Sequence, residues 1–214
     1  DYISEHKVLD IFSNDQIVKK KSLEVLKKCI NFCKNLQIKT KKKCYLICSF
    51  SSTKTIDKIV FYKKLNNAIR TMTKKTNIVI LPQWLPPYAW YFGGSIKMFA
   101  FSKLSDLDYL KKINMKICLD LSHFIMCCNY ENKNYLSYIK KFKKIIYHYH
   151  SADAKGIDGE GYKFDLTSGK KVDLIKYIIK QKPVKVIETW QGHLNNAKIF
   201  KEEILKIKKL YEKK

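Results

Sequence analysis

The residues able to do chemistry fall at the ends of short apolar runs. Asp120 and His123 follow the run 115–119, and His148 and His150 close the run 145–150, with Asp153 just beyond. Glu188 follows 184–187, and Gln83 follows 77–81. Carboxylates and imidazoles delivered from three separate segments make a mixed oxygen and nitrogen donor set, suited to Mn²⁺, Zn²⁺, Co²⁺ or Mg²⁺. Taken singly, each has a plainer explanation: an Asp after a strand caps the next helix, and a His near a strand end is hydrogen-bonded locally. Capping does not call for two histidines and a glutamate at successive strand ends. Both readings of the spacing stand.

The elements that must position these residues alternate. Leu23, Leu26, Ile30, Cys33 and Leu36 recur at helical spacing behind Ser13-Asn14-Asp15, a candidate cap. Residues 44–48 and 77–81 read as buried strands, the second stopped by Pro82, with a helix through Ile59, Tyr62, Leu65, Ile69 and Met72 between them. A short helix over 105–112 precedes the strand 115–119. A helix through Tyr135, Ile139 and Phe142, a strand over 145–150, a helix over 172–179 and a strand over 184–187 follow. Ile199, Ile204, Ile207 and Leu210 form the last amphipathic helix. Strands alternating with helices argue for βα units and a parallel sheet, whose carboxyl ends converge on one mouth.

Three segments at these positions carry a resemblance: Ile117-Cys118-Leu119-Asp120-Leu121-Ser122-His123; His148-Tyr149-His150-Ser151-Ala152-Asp153-Ala154-Lys155-Gly156 with Asp158-Gly159-Glu160-Gly161; and Ile187-Glu188-Thr189-Trp190-Gln191-Gly192-His193. They resemble the xylose isomerase-like barrel superfamily, which includes sugar-phosphate isomerases and epimerases and endonuclease IV. The nearest likeness is to the barrel fused behind sialic acid synthase-type enzymes, where a segment similar to Pro86-Pro87-Tyr88-Ala89-Trp90-Tyr91-Phe92-Gly93-Gly94 also precedes the Asp-x-Ser-His segment. The likeness runs over about residues 80–196.

The resemblance implies an α/β fold, a (β/α)8 TIM barrel. About five strands are legible where such a barrel has eight and roughly 250 residues, so residues 1–214 are expected to be the last five or so βα units of a single barrel domain. About the first three units would lie upstream in a longer chain, with Asp1-Tyr2-Ile3-Ser4 resembling the loop after the third strand. The resemblance also makes Asp120, His150 and Glu188 metal ligands for one divalent ion, with Gln83 at a fourth ligand position. Glu188 and His123 become the catalytic pair. His123, Asp153, Lys155, Asp158, Glu160, Trp190 and His193 become substrate contacts. Trp84 is a second candidate for stacking on a sugar or, equally, a core residue, and Lys163 joins Lys155 as a phosphate contact.

The departure is Gln83, where the family pattern has a glutamate that is both ligand and base. An amide can offer an oxygen but cannot accept a proton at neutral pH. The expectation is a divalent-metal-dependent sugar or sugar-phosphate isomerase/epimerase-like protein acting through an enediolate, with one-base isomerisation through Glu188 open where two-base epimerisation is in doubt, in the synthesis of sialic acid-like surface glycans. One alternative is a non-catalytic domain that lost its base at Gln83 and serves as scaffold for a fused or associated sialic acid synthase-type domain. A more distant one is an endonuclease IV-like phosphodiesterase acting on abasic DNA.

Composition bounds these readings. The 214 residues are 46% hydrophobic and 29% charged, which suits one globular domain. No apolar run approaches the roughly 20 residues of a membrane span. The net charge of +24 comes from 43 basic and 19 acidic residues. Almost all of the basic residues are lysine, Arg70 being the only arginine, and a lysine point charge cannot copy the bidentate fork that reads phosphate and guanine. Neither a nucleic-acid nor a membrane partner is expected. Seven cysteines without a CxxC pair read as buried thiols of a reducing compartment, and the cytoplasm is the expected location.

Overall fold

Asp15 starts the first helix by accepting hydrogen bonds from the Ile17 and Val18 amides at 2.8 and 3.2 Å, filling orphan donors of the first turn. The computed structural model describes residues 8–52, 57–91 and 94–212. Helix α1 (Gln16–Thr40) buries Leu26, Ile30 and Cys33 on one stripe and ends at Lys41 in the left-handed conformation. Strand β1 (Cys44–Cys48) then pairs in parallel with β2 (Ile78–Pro82), with Cys44 opposite Ile78 and Cys48 opposite Pro82. Helix α2 (Lys58–Thr73) makes the crossover and buries Phe61, Tyr62, Leu65 and Ile69.

A hairpin follows, β3 (Tyr88–Tyr91) antiparallel to β4 (Gly94–Lys97), and then helix α3 (Leu104–Lys112). The second parallel sheet is β5 (Ile117–Asp120), β6 (Ile146–Ser151) and β9 (Val184–Ile187), in that order. Helices α4 (Leu121–Tyr130) and α5 (Tyr135–Phe142) lie between β5 and β6. Between β6 and β9 come the hairpin β7 (Asp153–Lys155) with β8 (Gly159–Tyr162) and helix α6 (Gly169–Ile179). Helix α7 (Leu194–Glu212) closes the chain and carries left-handed residues at Asn195, Asn196 and Ala197.

The two parallel sheets meet at one point. Gln83 bridges to Cys118 in parallel register, and the Trp84 amide donates to the Cys118 carbonyl at 2.9 Å. On the far side of β1, Leu9 makes a parallel bridge to Phe50. Outside the two hairpins, the described strands thus run parallel in the order β1-β2-β5-β6-β9. Their helix-covered side forms the core, with Phe50, Phe61, Leu107, Phe124, Phe142 and Leu174 all at most 1% exposed.

The expected (β/α)8 TIM barrel is not what the chain forms. The described residues hold sheets of two and three strands and no eight-stranded parallel ring. A barrel requires an unbroken hydrogen-bonded circuit with consistent tilt and stagger. Here β2 and β5 touch through a single bridge, and β9 pairs only with β6 among the described strands. Val184 and Val186 on β9 stay 47% and 45% exposed, so that face of β9 is uncovered among the described residues. The segment 1–4, whose likeness supported the barrel, lies outside the described residues, as do Phe92 and Gly93.

Candidate metal centre

Asp120 is both the last residue of β5 and the cap of α4, and its two oxygens divide those tasks. Oδ1 accepts from the His123 amide at 3.2 Å and the Ser122 hydroxyl at 2.8 Å. Oδ2 is left to accept from Gln83 Nε2 at 3.0 Å. The register that sets Asp120 opposite His150 on β6 brings the imidazole alongside. His150 Nδ1 lies 2.7 Å from Glu188 Oε2, and Gln83 Nε2 is 3.4 Å from the same nitrogen. Glu188 is aligned by its own amide, which donates to the Ser151 carbonyl at 3.2 Å as β9 ends.

Asp120, His150 and Glu188 each offer a donor atom, and these atoms lie within 4.8 Å of one another. Cys118, His148 and His150 satisfy the same condition. Either set is a group of side chains that can hold a metal ion.

His123 sits in the first turn of α4, buried, with both ring nitrogens engaged. Nδ1 is 2.9 Å from the Trp84 carbonyl oxygen, and Nε2 is 2.6 Å from Glu160 Oε2. Both partners only accept, so both nitrogens carry protons. Burial alone would lower the imidazole pKa, but the Asp120 and Glu160 carboxylates outweigh it and raise it to about 9. A doubly protonated imidazole has no lone pair for a metal. His123 is therefore a fixed cation beside Asp120. His148 goes the other way: burial and the neighbouring His150 lower its pKa, keeping it neutral.

Beside these groups opens a cleft of about 570 Å³, within the usual range for small-molecule sites. Gln83, Asp120, His123, Glu160, Glu188, Trp190 and His193 all face it. Trp190 is 64% exposed and stands over Gly161, where an added Cβ would come within 2.2 Å of the indole. Gly161 also has φ +73°, so the position tolerates no side chain.

The other sequence-predicted contacts lie elsewhere. Asp153 is 2% exposed and is consumed by the Ala154 and Asp165 amides and by Lys171 Nζ at 2.7 Å; it ties β7 to α6. Lys155 lies over the Tyr162 ring at 4.8 Å, Asp158 sits in the exposed β7–β8 turn, and Lys163 pairs with Glu202 at 3.1 Å. None of them lines the cleft. Trp84 is fully buried in the core.

Sequence reasoning missed Ser49, whose hydroxyl donates to Gln83 Oε1 at 3.3 Å. It also missed Thr189, which lines the cleft with a buried hydroxyl that has no hydrogen-bond partner among the described residues. Ser49 lies in no pattern that points to a ligand, and Thr189 lies inside the segment 187–193 without being singled out there. Cys118 was hidden differently, inside an apolar strand where a cysteine reads as a small hydrophobe.

No protein-family model matches this chain, and no curated protein matches it. Among the described residues no helix is long and apolar enough to cross a membrane.

Proposed function

We propose that this protein is a divalent-metal-dependent sugar or sugar-phosphate isomerase, working by proton transfer through an enediolate. The observation that carries the reading is the convergence of Asp120, His150 and Glu188 within 4.8 Å, with Asp120 and Glu188 at the wall of a 570 Å³ cleft. Two carboxylates and an imidazole fit Mn²⁺, Mg²⁺, Co²⁺ or Zn²⁺. A divalent ion held there supplies Lewis-acid polarisation of a substrate carbonyl.

The chain's own residues do the rest. The Glu188 side chain is 53% exposed to the cleft and is the group able to take a proton from the carbon beside the carbonyl and return it to the neighbouring carbon. Gln83 cannot share that work, so a single base shuttles the proton. His123 holds positive charge 3.4 Å from Asp120. Trp190 and His193 form the rim that a sugar ring would meet, the indole offering an apolar face.

Gln83 admits a second reading. Its Nε2 reaches Asp120 and His150 together, so an amide N–H occupies the place between ligands that a cation would take. That favours a non-catalytic scaffold. The Ser49 hydroxyl both donates and accepts, however, and so satisfies either orientation of the amide. A half-turn of Gln83 presents Oε1 to a metal and Nε2 to Ser49. Under the isomerase reading, Gln83 is a swinging ligand.

Metal content measured by mass spectrometry, with the protein purified without chelator or metal-binding tag, tests the proposal. Near one equivalent of metal in wild type, absent from His150→Ala and Glu188→Ala, followed by turnover of keto- or aldo-sugar phosphates, is expected. No binding even after metal is added back would overturn the isomerase reading and leave the scaffold.

A further inference from the structure

One layer below the carboxylates, the same strands place a second donor set. The register opposes Cys118 with His148 and, one step on, Asp120 with His150. Two residues along a strand is roughly 6.6 Å, so the thiol level and the carboxylate level are distinct places on one face of the strands. Cys118 Sγ lies 3.6 Å from His148 Nδ1, and the His148 and His150 rings meet edge to face at 5.3 Å.

We propose that Cys118, His148 and His150 form a second metal position, for a thiophilic divalent ion such as Zn²⁺ or Co²⁺, alternative to the carboxylate position because both require His150. A thiolate with two imidazoles is a softer set than two carboxylates with one imidazole, and three protein ligands leave a coordination site open. Cys118 is fully buried and His148 is 6% exposed. Two polar groups at adjacent positions of a strand array are a cost that Val or Ile in their place would avoid. Binding forms the sulfur–metal bond and releases the thiol proton to solvent. Water has a path, because Val184 and Val186 are in register with His148 and His150 and remain about half exposed. The hard or soft character of the available ion then decides which level is filled, and with it whether Asp120 and Glu188 act as ligands or stay free.

The two levels are read separately by two metals on the same chelator-treated protein. Co²⁺ titration followed by the near-ultraviolet thiolate-to-cobalt charge-transfer band reports the sulfur level. Mn²⁺ titration followed by electron paramagnetic resonance reports the carboxylate level. Wild type is expected to show the sulfur band, saturating near one equivalent, and Zn²⁺ is expected to displace Mn²⁺ competitively. Cys118→Ser should abolish the band while leaving Mn²⁺ affinity within about twofold. Asp120→Asn should weaken Mn²⁺ by about tenfold or more and keep the band. If Cys118→Ser does not fold by circular dichroism, His148→Gln serves for the same comparison. Co²⁺ binding without a sulfur band, or a band that survives both variants and so belongs to the other cysteines, overturns the proposal. Mn²⁺ binding without a sulfur band defeats this position and spares the isomerase reading. A sulfur band without Mn²⁺ binding does the reverse.

Discussion

Position 83 governs how the strand-end side chains share charge. Replacing Gln83 with Glu removes the N–H that Asp120 accepts and sets three carboxylates against one another. Without metal, Gln83→Glu is expected to lower stability by about 1–2 kcal/mol, and with metal to bind Mn²⁺ about tenfold more tightly. Thermal melts with and without Mn²⁺ give both readings, and a variant that melts identically in the two conditions would show that position 83 does not face a cation. His123 yields a pH prediction. Its folded pKa of about 9 lies above the 6.5 of an unperturbed imidazole, so its pairing with Asp120 and Glu160 stabilises fully below about pH 6.5 and is lost as pH rises through about 9. That loss is on the order of 3 kcal/mol. Chelator-treated wild type should therefore lose stability between pH 7 and 9.5 more steeply than His123→Gln; parallel slopes would contradict the imidazolium. The residue types of the cluster were legible, because Asp, His and Glu at strand ends are unusual enough to notice. Which of them share a cleft was not: Asp153 looks like a site residue in sequence and is spent on two amides and Lys171.

At the scale of elements, amphipathic helices and apolar strands were the readable part. Helix α1, strand β1 and strand β9 lie where period and flanking residues place them, since each has one buried face or one short apolar run. Helix α4 escaped because residues Leu121 to Cys128 are all buried, and a helix apolar all round shows no moment to read. The β7–β8 hairpin carried a cue in Asp158-Gly159, but its strands are too short to show alternation. This hairpin matters to the site, since Glu160 reaches His123 from it and Gly161 supports Trp190. Gly161→Ala should push the indole away, loosen the Glu160–His123 contact and cost about 1–3 kcal/mol. Trp190 emission, compared with a Trp190→Phe background, and the melting temperature measure it. Unchanged emission would mean that the indole does not rest on Gly161.

The whole molecule combines an uneven charge with an open strand edge, and each limits the other. A formal charge of +24 means that folding gathers lysines against their repulsion, and the exposed pairs Lys141–Asp108 and Lys163–Glu202 are worth little individually. Salt shortens the reach of that repulsion from about 30 Å at 0.01 M to about 8 Å at 0.15 M. Stability should therefore rise with NaCl over this range, by a few degrees in melting temperature, where a protein held by surface ion pairs would lose stability. The same screening removes what keeps two copies apart at β9, an edge with Val184 and Val186 half exposed and no second strand partner among the described residues. Light scattering should show self-association growing with salt and protein concentration. Val184→Lys should suppress the association while leaving the salt-dependent gain in melting temperature intact, because a half-exposed valine contributes little to the core. If Val184→Lys abolishes both effects, the stabilisation comes from the association itself, and screening of the lysines does not explain it.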